Sequence, residues 1–145
     1  MFAAPGNLLP IRSLADPVVS CVAAAAAKGI PVEHELKTLI LDTSTGLLAL
    51  HLRGDQYACL RSIKEALAVK QACLASVERL GVLGLTPGTI SAVLEPVWSM
   101  RHLVDNGVLM LDFVSTNNGT PMGYFFFQPS LLKEALQIEI GNFAR

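Results

Sequence analysis

A chain of 145 residues is long enough for one domain with a real core, and a composition 52% hydrophobic but only 16% charged excludes a disordered tail as its bulk. Its net charge of −1 supplies no global basic field to draw in nucleic acid, so any RNA contact must be local or transient. No apolar run reaches bilayer-spanning length.

Pro5, Gly6 and Pro10 punctuate residues 1–15, an extended N-terminal arm with a strand near Leu8–Leu14; residues 16–145 form the domain proper. Asp16 as N-cap and Pro17 in the first turn predict a helix over 17–28, its apolar face Val18, Cys21, Val22 and Ala25 and its stop Gly29. Val18-Val19-Ser20-Cys21 resembles a lipoprotein cleavage box, but Pro10, Arg12, Asp16 and Pro17 interrupt the apolar segment that export requires, and the match reads as accidental.

Leu36–Leu41 is apolar on both faces, as in a central strand, and Ser44-Thr45-Gly46 turns it into a second strand, Leu47–Leu52, closed by Gly54-Asp55. Ser62-Ile63-Lys64-Glu65 reads as a capping box opening a helix over 62–70. A short strand at Ala72–Leu74, a short helix from Ser76 to Leu80 and a Gly84–Ser91 turn follow. Ala92–Leu94 and Val97–Met100 read as strands broken by Glu95-Pro96, then His102–Val104 leads into Asp105-Asn106-Gly107. Leu109–Ser115 and Gly123–Phe127 are strands about the Asn117-Asn118-Gly119 turn, and Pro129-Ser130 opens a last helix through Leu136. Helices inserted between hairpins predict a single α/β (α+β) domain built on a mixed sheet.

Cys21, Cys59 and Cys73 form an odd set without a CxxC pair, and His34, His51 and His102 are scattered. Both facts speak against a disulfide framework or a zinc site and for reduced thiols in the cytoplasm, with Cys59 and Cys73 as small buried hydrophobes. No metal or cofactor is expected. A Ser-His-Asp or Cys-His arrangement has no support from spacing. The aromatic run Tyr124–Phe127 splits between two strand faces and reads as core packing before base stacking.

Lys37 is the unusual residue. Strand alternation puts it on the side of Leu39 and Leu41, with Thr38 on the side of Leu36 and Ile40, so its ammonium either snorkels to the sheet edge or lines a cavity as a donor to a carbonyl or phosphate. In Gly84-Leu85-Thr86-Pro87-Gly88-Thr89-Ile90-Ser91 the proline fixes one φ and Gly88 is free to take φ > 0, so the amides can form a concavity for a carbonyl or an anion.

Lys37-Thr38-Leu39, Gly54-Asp55, the Lys-Glu-Ala-Leu helix, Leu80–Gly84 running into Pro87-Gly88-Thr89-Ile90-Ser91, Val104-Asp105, Val114-Ser115 and Pro129-Ser130-Leu131-Leu132 occur in that order. The set, covering about residues 17–137, resembles the YbaK/prolyl-tRNA-synthetase-associated editing domain family. The resemblance implies a curved, barrel-like mixed sheet flanked by short helices, and an aminoacyl-tRNA deacylase that acts in trans, hydrolysing the ester of a mischarged tRNA without a metal. Lys37 would bind at the reacting end of the substrate, and Thr38, Gly88, Thr89, Ile90 and Ser91 would be substrate-binding. The implied partners are mischarged tRNA, bound transiently, and an aminoacyl-tRNA synthetase, with no membrane. The alternative is a non-catalytic module of the same family that binds a small aminoacyl-like ligand or a protein partner. The chain departs from the family pattern at Ala92, where a proline is common, and at 116–123, which lacks an acidic residue that some members carry.

Overall fold

The structure, a computed structural model, describes residues 12–145. Two sheets carry the fold. The larger has the order β4-β2-β3-β5-β8, with β2 (Leu36–Thr43), β3 (Gly46–Arg53), β4 (Ala72–Leu74), β5 (Arg101–Asp105) and β8 (Ile138–Gly141). β2 is antiparallel to both β3 and β4, whereas β5 runs parallel to β3 and β8. The smaller sheet is antiparallel, with β7 (Gly123–Phe127) between β1 (Arg12–Ser13) and β6 (Val114–Asn117). A bridge between Glu35 and Ser115 brings the start of β2 against β6. β4 covers only the far end of β2, from Leu41 to Thr43, so the edge over 36–39 faces the smaller sheet. That edge creates the site.

The central sheet is buried on both faces, and β2 and β3 accordingly carry apolar side chains on each of them. Leu41, Leu48, Leu50, Leu52, Leu103 and Phe143 meet Ile63 of α2 (Leu60–Leu67) on one side. On the other, Ile40 and Ala49 meet Leu80 and Val97, while Leu36 and Val104 pack on Val93, Val114 and Phe125. Full burial of each large side chain is worth roughly 1.5–3 kcal/mol, enough to fix the register against a one-residue slip.

Several boundaries differ from the sequence reading. α1 (Cys21–Lys28) is capped by Ser20, whose Oγ accepts from Ala23 N–H at 3.1 Å, and not by Asp16. The Leu14 and Val18 amides donate to the Met122 and Pro121 carbonyls, tying the segment to the side of the smaller sheet and keeping it out of the helix until Ser20. Gly29 ends the helix at φ 71, as expected. The capping box does not form. Cys59 N–H donates to Phe143 O at 2.8 Å and the helix starts just after it, so Ser62 lies inside the first turn against Cys59 Sγ and Glu65 pairs with Arg61.

The short helix after Ser76 is α3 (Val77–Val82). The strands expected around Glu95-Pro96 are replaced by α4 (Glu95–Trp98), because a proline in a first turn starts a helix readily. Asp105 caps α5 (Asn106–Leu109) by accepting from Gly107 N–H, which shortens the next strand to Val114–Asn117. The final helix is a 3₁₀ turn over Pro129–Glu134. β8 was not anticipated, although Ile138-Glu139-Ile140 alternates with a strand period. The expected N-terminal strand lies mostly outside the described residues, and Arg12–Ser13 is its described part.

Candidate active site

A cavity of about 300 Å³ opens beside the edge of β2 that β4 leaves uncovered. Its walls come from the 14–21 segment and α1, from residues 35–39, from Gly88 and Ile90, and from Thr116, Asn117, Gly123 and Tyr124 of the smaller sheet. The volume is at the small end for ligand pockets, which run from about 300 to 1,000 Å³.

Lys37 and Thr38 both line this cavity but leave β2 on opposite faces, as alternation requires. Lys37 takes the α2 face, where its ammonium donates to the Gln56 carbonyl and lies 4.7 Å from the centre of the Tyr57 ring. It therefore both snorkels and lines the cavity, and among the described residues no carboxylate pairs with it. Arg145 approaches the same ring at 5.5 Å, so an exposed tyrosine with two cations stands beside the pocket.

The 84–91 turn divides. Gly88, at φ 92, and Ile90 line the cavity, and among the described residues neither amide N–H has a hydrogen-bond acceptor. Thr89 and Ser91 are not part of the wall: Thr89 bonds back to the Thr86 carbonyl, and Ser91 is buried and accepts from Thr116 Oγ1. A Cβ on Gly88 would sit 3.2 Å from Val19 Cβ, so the turn packs closely on the segment leading into α1.

Two polar groups of the site escaped the sequence reading. Lys28 Nζ lies 2.8 Å from Glu35 Oε1, donates to Oε2 at 3.1 Å and to Ser115 Oγ at 2.8 Å, and faces the Tyr124 ring at 4.7 Å. Both side chains are almost wholly buried, 3% and 5% exposed, and burial pushes the Glu35 carboxyl up against the opposing pull of Lys28. Pairing residues of opposite sign seven apart on separate elements leaves no periodic signature. His51 and His102 also meet, with Nε2 of one 2.7 Å from Nδ1 of the other, in a fully buried pair that sequence distance conceals. His34 lies apart, bonded to the Phe113 carbonyl.

Cys21, at the start of α1, is in the pocket wall, and burial raises its thiol pKa. The expectation of buried thiols elsewhere is corrected: Cys73 is exposed on the short strand β4, and Cys59 is half-buried, with its pKa lowered chiefly by the Ser62 hydroxyl. Phe125 and Phe127 are core residues, whereas Tyr124 reaches the pocket. Among the described residues no group of three or more His, Cys, Asp or Glu side chains gathers to hold a metal ion, and no helix is long and apolar enough to cross a membrane.

The model of the aminoacyl-tRNA editing domain matches residues 15–135. The chain belongs to that family. No curated protein matches it, but solved structures do. A hypothetical protein of known crystal structure superposes with a TM-score of 0.82 at 23% identity, covering 94% of this chain and 91% of that one. A candidate trans-editing enzyme for prolyl tRNA synthetase superposes at 0.85 with 19% identity, covering 95% and 87%. The fold also occurs inside a longer candidate signal transduction protein from Marinobacter aquaeolei VT8, with a TM-score of 0.65 at 15% identity, covering 96% of this editing domain and 29% of that chain. At these identities the likeness concerns the fold.

Proposed function

We propose that the protein is an aminoacyl-tRNA deacylase acting in trans, with the cavity beside β2 as its ester-hydrolysing site. The observation that carries this reading is the pair of unengaged amides, Gly88 and Ile90, in the wall of the pocket that Lys37 lines. Water attack on an ester carbonyl develops negative charge on oxygen, and preorganised N–H donors in a confined site stabilise that charge with little reorganisation. Lys37 rests on the Gln56 carbonyl and the Tyr57 ring, with the other protons of its ammonium left for a substrate oxygen. The oxyanion then collapses, the carbonyl–oxygen bond to the ribose breaks, and the ribose oxygen takes up a proton. Lys37 and Arg145 on exposed Tyr57 give a local cationic, aromatic rim that suits the phosphate and base at a tRNA end, in a protein with no global basic field. Family membership and the likeness to a candidate trans-editing enzyme support the same substrate class, with mischarged tRNA as the transient partner and the cytoplasm as the place of action.

The test is deacylation of tRNAs carrying alanine, cysteine or serine by the wild type and by Lys37→Ala. A loss of about 10²-fold in the folded variant, the scale of one transition-state charge contact, is expected. No hydrolysis of any ester by the folded wild type would overturn the enzyme reading and leave a binding module for an aminoacyl-like ligand.

A further inference from the structure

Thr38 and His51 lie directly opposite each other across the β2–β3 ladder. From Thr38, in the pocket wall, a chain of hydrogen bonds runs into the core. Thr38 Oγ1 is 2.9 Å from His51 Nδ1, His51 Nε2 is 2.7 Å from His102 Nδ1, and His102 Nε2 is 2.9 Å from the Trp98 carbonyl oxygen. The far end fixes the direction of every proton. A carbonyl can only accept, so His102 Nε2 carries hydrogen, and in a neutral ring its Nδ1 then accepts. The donor to it is His51 Nε2–H, which leaves His51 Nδ1 as an acceptor in turn. The Thr38 hydroxyl must therefore donate inward to His51, and its oxygen presents lone pairs alone to the pocket. Both rings are fully buried, and among the described residues no carboxylate pairs with either. Burial holds His51 well below its ordinary pKa and His102 below its own, so both are neutral near pH 7.

We infer that the His51–His102 pair locks Thr38 as a hydrogen-bond acceptor in this pocket, where it receives a donor of the bound complex: the α-ammonium of an aminoacyl ester or the O–H of the attacking water. The other polar groups around the cavity explain why such an acceptor matters. Lys37 and the Gly88 and Ile90 amides are donors, Asn117 is engaged with Ile90 O and Gly119 N–H, Thr116 donates to Ser91, and Glu35 is held in the Lys28 ion pair, its Oε1 without a hydrogen bond of its own. An aminoacyl ester brings a carbonyl acceptor and an ammonium donor together, and Lys37 with the two amides matches only the first of these. Thr38 is the complement, and the two histidines are positioning residues that act through it. The ligand assignment rests on the deacylase reading; the proton arrangement does not.

Two measurements separate the parts. Long-range ¹⁵N–¹H correlation spectra of the imidazoles at pH 7 are expected to show His51 and His102 both as Nε2–H tautomers. An Nδ1–H tautomer or an imidazolium at either ring would overturn the lock, whether or not the protein hydrolyses anything. Thr38→Val is expected to lower kcat/KM about tenfold, the scale of one hydrogen bond in a desolvated site, while Thr38→Ser stays near wild type. His102→Leu should show the same tenfold loss, and His102→Asn, whose Oδ1 replaces Nδ1 as acceptor, should restore the rate; if His102→Leu does not fold, the Thr38 and His102→Asn variants carry the test. A Thr38→Val penalty that vanishes on a des-amino ester identifies the donor as the ammonium, and one that persists identifies it as the water. No penalty on either ester would overturn the role of Thr38. If the wild type hydrolyses no ester, the same tenfold is read in the Kd of a non-hydrolysable aminoacyl-adenosine amide, and equal affinities would refute it.

Discussion

Replacing Lys28 by Met leaves the Glu35 carboxylate buried beside the pocket with its main partner gone. Three contacts are lost together: the ion pair at 2.8 Å, the donation to Ser115 at 2.8 Å and the approach to the Tyr124 ring at 4.7 Å. With side chains only 3% and 5% exposed, water cannot take over, and breaking one half of such a pair costs about 3–5 kcal/mol. Lys28→Met/Glu35→Leu is expected to return to within about 1 kcal/mol of wild type, because an apolar pair of similar volume needs no compensation. The sign of the pH dependence follows from Glu35. Its carboxyl is already raised by burial and opposed by Lys28, so losing Lys28 raises it further above 4.5. The folded state then binds a proton more tightly than the unfolded chain, and stability is lost as pH rises through that window. Urea unfolding followed by circular dichroism at pH 5 and pH 8 measures this on the wild type, both single variants and the double. Lys28→Met should be penalised less at pH 5 than at pH 8. A single variant within about 1 kcal/mol of wild type at pH 8, or additive effects in the double, would refute the reasoning.

Gly88→Ala combines φ 92 with a contact at 3.2 Å to Val19 Cβ and is expected to destabilise by about 1–2 kcal/mol in thermal melts. The histidine pair gives the opposite pH sign to Glu35: its folded pKa values lie below 6.5, so stability is present above that value and lost as pH falls through the window beneath it. Acid unfolding of His51→Asn/His102→Asn should show a shallower slope there. Thiol labelling should modify exposed Cys73 and low-pKa Cys59 before Cys21, and an aminoacyl ligand should slow Cys21 further, measured by mass spectrometry over time.

What could be read from residues was local. The β2–β3 hairpin declares itself by two apolar runs and a Ser-Thr-Gly turn, and the Ser76 cap and Gly29 stop by rules that act within a few residues. The misreadings share a tertiary cause. α1 and α2 start where distant carbonyls, Pro121 and Phe143, hold the approaching chain, so Asp16 and Ser62 are passed over as caps. In the site, alternation correctly put Lys37 and Thr38 on opposite faces, and chemistry drew attention to the lysine. The threonine's importance depends on His51, thirteen residues on, and on His102, fifty-one beyond that, which are juxtaposed by strand order alone. The Lys28–Glu35 pair is legible only once β6 closes over it.

The pocket itself is the central claim, and filling it is the most direct test. Ala24 lines the cavity from α1, away from Lys37, Thr38 and the 88–90 amides in sequence and in role. Single-turnover hydrolysis of a mischarged tRNA that the wild type deacylates is expected to fall at least about tenfold in a folded Ala24→Phe variant, because the acyl group loses its space. Hydrolysis at the wild-type rate by the filled protein would place the chemistry elsewhere and contradict the assignment.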